Sequence, residues 1–97
     1  MEELDKKTRD IILTSQKNEI TEHIIYSKLS QAVKDKQNKE ILKQISDDEK
    51  EHYNFWKKYT NKDVKPNRLK IWWYYLISRI FGITFGIKLM ERGEEDA

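Results

Sequence analysis

The sequence contains no cysteine. That absence excludes disulfides, zinc-thiolate sites, rubredoxin-type iron centres and cysteine nucleophiles, and it is compatible with a cytoplasmic location. Proline occurs once and glycine three times in 97 residues, a scarcity of breakers that favours long helices over sheet. A charge excess of one sign is also lacking: 37% of residues are charged, yet the net charge is only +2. A mixture this balanced reads as solvated helix faces, and no helix-turn-helix or similar motif is readable, so nucleic acid is not an expected partner. The first residues, Met1 to Asp5, are acidic and carry no apolar core, which excludes a signal peptide. The length suits one small domain whose core is marginal, so a metal or a partner chain would help to stabilise it.

What is present is helical periodicity. Residues 4–34 hold neither proline nor glycine and place Leu4, Thr8, Ile11, Ser15, Glu19, Glu22, Tyr26, Leu29 and Val33 on one stripe. The spacing predicts a helix about 45 Å long at 1.5 Å per residue. A short polar break at residues 34–38 makes the second helix, over 39–60, an antiparallel neighbour. Its stripe runs Ile41/Leu42, Ile45, Glu49, His52, Trp56, Tyr59. Residues 60–67 form a loop closed by Pro66. Residues 68–81 predict a crossover helix and residues 83–96 a third bundle helix, with a bend at Gly82 or Gly86. The aromatic run Trp72-Trp73-Tyr74-Tyr75 would suit a membrane interface, but Arg79 disfavours a transmembrane span by about 2.5–3.5 kcal/mol. So much apolar surface predicts a homodimer or higher oligomer. The helical pattern still runs at Ala97 without a capping signal, which suggests a fragment of something longer.

Both long stripes are interrupted by acids. Glu49 and His52 stand three residues apart on one helix face, where a carboxylate and an imidazole can grip the same ion. Glu19 and Glu22 interrupt the first helix in the same way, and Glu91 and Glu94 repeat the spacing near the end. A buried carboxylate must be protonated, paired or bound to metal. Pairing of Glu19 or Glu22 with a cationic side chain is one alternative; solvent exposure of Glu91 and Glu94 is another, as is exposure of the Glu49/His52 pair if the helix phase is rotated, against which Ile45 and Trp56 stand. Oxygen ligands with few imidazoles suit iron or manganese better than copper. Di-iron carboxylate bundles use one Glu from each of two helices and a Glu-x-x-His from each of two others. The first two helices supply half of that set. His23 lies beside the acidic stripe and reads as a flanking packed or exposed residue.

Glu19-x6-Tyr26 followed by Glu49-x-x-His52 resembles the first half of the ferritin-like superfamily, on the rubrerythrin branch. Glu-Ile-Thr-Glu-His-Ile-Ile-Tyr at residues 19–26 and the ending from Gly82 to Ala97 are similar to the rubrerythrin-like domains of membrane-associated ferritins, which are often fused to an iron-transporter membrane region. The resemblance implies an all-α, ferritin-like antiparallel helical bundle. It implies a di-iron centre, with manganese or zinc as substitutes, that reacts with oxygen or peroxide. Glu19, Glu22, Glu49, His52, Glu91 and Glu94 would be ligands and Tyr26 a hydrogen-bond donor behind them. The family's fourth helix and its cysteine-rich electron-transfer domain are missing. The bundle would therefore be completed by dimerisation or helix swapping, and an external electron donor would be needed. The resemblance implies a di-iron protein for iron handling or oxidative-stress defence, placed in the cytoplasm or at the cytoplasmic face of a membrane; the aromatic segment 71–90 itself suggests the alternative, a non-enzymatic membrane-associated helical oligomerisation module.

Overall fold

The computed structural model describes residues 5–96, and the side chains of residues 5–93. The described residues form α1 (Lys6–Ala32), α2 (Lys36–Thr60), α3 (Arg68–Phe81) and α4 (Ile83–Asp96), with no strand among them. Asp5 opens α1 by accepting the Thr8 amide at 2.7 Å, which holds its carboxyl below the ordinary carboxylate range. Asp35 opens α2 by accepting from the Gln37 amide. The second helix therefore starts three residues earlier than its hydrophobic spacing predicts, because the polar residues 36–38 form its first turn. Asn67 caps α3 through the Lys70 amide.

The α1–α2 pair is antiparallel. Gln16 meets Thr60, Glu19 meets His52, and His23 meets Ser46, so partners ascend on one helix as they descend on the other. Along this contact the buried positions are Ile12, Gln16, Ile25 and Leu29 on α1, and Leu42, Ser46, Tyr53 and Thr60 on α2. This corrects the phase of the expected stripes. Ile11 and Tyr59 are 59% and 46% exposed, while the core runs one residue further round through Ile12 and Thr60. Serine, threonine and glutamine occupy positions where hydrophobic spacing expects carbon.

The loop over 61–67 is stitched down by those polar groups. Gln16 donates to the Lys62 carbonyl at 2.8 Å, and the Thr21 hydroxyl accepts the Asn67 amide at 2.9 Å. The Tyr53 hydroxyl donates to Asp63 and accepts the Val64 amide, both at 2.9 Å. The chain then returns across α1 as α3 and folds back as α4. The reversal sits at Gly82, whose φ of 101° and ψ of 153° are open essentially to glycine alone. Gly86 acts differently: a Cβ there would stand 1.9 Å from Ser78 Oγ and 2.9 Å from Ser78 Cβ, so its bare backbone lets α4 lie against α3. One cluster joins all four helices, built from Ile25, Tyr26, Leu29, Leu42, Ile71 and Met90. Among the described residues no helix is long and apolar enough to cross a membrane.

Candidate metal centre

The acidic stripes of α1 and α2 face each other across the edge of their contact. His52 Nδ1 lies 3.3 Å from Glu19 Oε2 and 3.7 Å from Glu49 Oε1. Ligand atoms of the three residues all fall within 4.8 Å of one another. Metal–oxygen and metal–nitrogen bonds of about 2.0–2.2 Å set neighbouring ligand atoms roughly 3–3.5 Å apart. The donor set therefore fits a divalent cation with little side-chain movement.

The surroundings explain why the acids can sit together. Glu22 is buried, and the side chains of Glu19 and Glu49 are 22% and 16% exposed. Burial pushes the Glu49 carboxyl up. Hydrogen bonds shared with Glu19 and Glu22, and the positive charge that His52 and His23 carry when protonated, outweigh burial and hold it below the ordinary range.

The triad opens into a cleft of about 450 Å³ lined also by Ser15, Asn18, Glu22, Tyr26, Ile45 and Glu91. Five of the six expected ligands and Tyr26 thus meet in one place, with α1, α2 and α4 contributing. The side chain of Glu94 lies outside the described residues. The burial expected of this face does not extend to His52: its side chain is 57% exposed, so among the described residues that side of the cleft is open. Tyr26 belongs to the hydrophobic cluster as well as to the cleft wall.

His23 serves the helix pair. Its Nδ1 donates to the Ser46 carbonyl at 2.7 Å, while the Ser46 hydroxyl donates to the His23 carbonyl at 2.8 Å. This reciprocal clamp sets the register that brings Glu19 opposite Glu49 and His52. Sequence reasoning missed Ser46 in this role and Asn18 at the cleft rim, and it placed Ser15 on the acidic stripe without assigning it to the site. Short polar residues on a helix carry no periodic signal that separates them from solvated ones.

No curated protein and no solved structure matches the chain. The family model described as Rubrerythrin matches residues 10–84, which include Glu19, Glu22, Glu49 and His52. That match covers most of the chain and agrees with its all-α architecture and its clustered carboxylate and histidine donors. The chain is a member of the rubrerythrin family, with a ferritin-like helical bundle and a ligand cluster suited to metal.

Proposed function

We propose that this chain holds iron in the cleft between α1 and α2, and that two copies together build a di-iron carboxylate centre that reacts with oxygen or peroxide. The observation that carries the reading is the convergence of Glu19, Glu49 and His52 on the open side of the helix pair. Glu19 and Glu49 would offer oxygen and His52 a ring nitrogen. Glu22, hydrogen-bonded to Glu49, would orient that carboxylate, and Glu91 and Glu94 would add acids from α4. Iron bound there supplies one-electron redox chemistry toward oxygen or peroxide, with manganese or zinc as alternative occupants.

The chain's own residues prepare for this. Glu49 is held below the ordinary carboxylate range, so it meets an entering cation in its charged form. One chain carries one Glu-x-x-His, whereas the di-iron arrangement uses two. A second copy, related by a two-fold axis and seated over exposed His52, would supply the other and exclude water from the cleft. With no cysteine in this chain, electrons for a peroxide cycle would come from an external donor.

Elemental analysis of protein purified without chelator tests the reading. The expected content is about two iron atoms per dimer, falling to background in Glu49→Ala. Metal-free wild-type protein that stays metal-free after anaerobic ferrous loading would overturn it.

A further inference from the structure

Charge is distributed unevenly along this chain. Residues 1–63 hold thirteen cationic and thirteen anionic side chains, whereas residues 64–90 hold five cations and no acid at all. The same segment turns its apolar stripe outward. Leu69, Trp72, Trp73, Leu76 and Ile80 recur at helical spacing along α3, and each is more than half exposed. The residues that α3 buries are Ile71, Ile77 and Ser78. Phe81 and Phe85, with ring centroids 5.5 Å apart, carry the apolar surface onto α4. Beside the stripe, the Lys28 ammonium sits 4.6 Å from the Trp72 ring centroid and 5.8 Å from that of Tyr75. With Arg79 these residues line a second cleft, of about 410 Å³, between α1 and α3, and among the described residues no acid lines it.

We propose that α3 lies in the plane of an anionic phospholipid surface. Its outward stripe enters the boundary between headgroups and acyl chains, and the cleft between Lys28 and Arg79 receives headgroup phosphate. Aromatic and aliphatic residues on one face with cations at its margins are what such a surface recognises. Spanning is excluded by length: fourteen residues reach about 21 Å, short of the roughly 30 Å of bilayer hydrocarbon. A second copy fits this face less well. Antiparallel pairing over the stripe would set Lys70 of one copy near Arg79 of the other, and parallel pairing would set like against like, with no acid in the segment to offset either. The surface is separate from the metal cleft, since Lys28 and Gln31 stand on a different face of α1 from Glu19, Glu22 and Tyr26.

Flotation of the full chain with vesicles tests this. Vesicles of phosphatidylcholine containing one quarter phosphatidylglycerol are compared with pure phosphatidylcholine, at low and high salt. Binding is expected to be about tenfold stronger to the anionic vesicles and to weaken with salt. The double variant Trp72→Ser/Trp73→Ser and the single variant Arg79→Glu should each lose about tenfold or more. All three positions are exposed, so helical circular dichroism and metal content should match wild type. Folded wild-type protein that ignores anionic vesicles at low salt would overturn the proposal. So would a double variant that binds vesicles as wild type does but sediments as a smaller species, since that result assigns the face to a second copy.

Discussion

The α1–α2 pair closes on polar groups and leaves its carboxylates at the rim of the contact. The α3–α4 pair closes on Ser78 and Gly86 and leaves its largest aromatic residues outside. In the first pair, register is fixed by directional hydrogen bonds: the His23–Ser46 clamp, Thr60 to Gln16, and Tyr53 to the loop. In the second, it is fixed by the absence of side chains that would hold the helices apart. Directional bonding suits a site that must place three ligand atoms within a few ångströms. Close backbone approach needs few residues on the inner face, and among the described residues the outer face of α3 is left apolar and exposed. The two hairpins therefore respond differently to substitution.

Metal binding should show the largest response. Glu49→Ala is expected to weaken ferrous affinity by at least about 100-fold, read by titration under anaerobic conditions. The equivalent removal of Trp73 from α3 should leave that affinity unchanged. Gly86→Ala comes next. Its new methyl would stand against Ser78, and the overpacked α3–α4 contact should lose about 1–3 kcal/mol in urea unfolding. Ala substitution at exposed Lys43 on α2 should stay within about 0.5 kcal/mol of wild type.

Tyr53→Phe should cost about 1–2 kcal/mol, because the buried ring keeps its packing while the Val64 amide loses its acceptor. The smallest effect is at Asp63, 2.8 Å from Lys57 on the solvent side. Hydrogen bonds from Lys57 and Tyr53 hold its carboxyl below the ordinary carboxylate range. The folded-state value is thus below the unfolded one, so the contribution is present above about pH 4 and is lost as pH falls through the folded value. Unfolding curves of wild type and Asp63→Asn should differ slightly at neutral pH and coincide in strong acid. A difference that grew on acidification would contradict the assignment.

Much of the site was legible because acids interrupting an apolar stripe are a strong local signal. Glu19, Glu22, Glu49 and His52 stand where that signal pointed, at one cleft. The phase of the stripes was harder to read. Ile11 and Ile12 are equally hydrophobic, and choosing between them requires knowing that Gln16 and Thr60 are buried partners 44 residues apart. Spacing within one helix holds no record of that pairing. For the same reason spacing offered exposure of His52 only as the alternative of a rotated phase, since it depends on what lies across from α2. The α3 pattern announced an amphipathic helix, yet periodicity alone does not say which face meets protein. The backbone settles that by setting Gly86 against Ser78.

Anomalous diffraction from crystals grown with ferrous iron or manganese tests the central claim most directly. The account predicts a metal peak bonded to carboxylate oxygens of Glu19 and Glu49 and to a ring nitrogen of His52. A fully loaded crystal in which those three side chains hold no metal would contradict it.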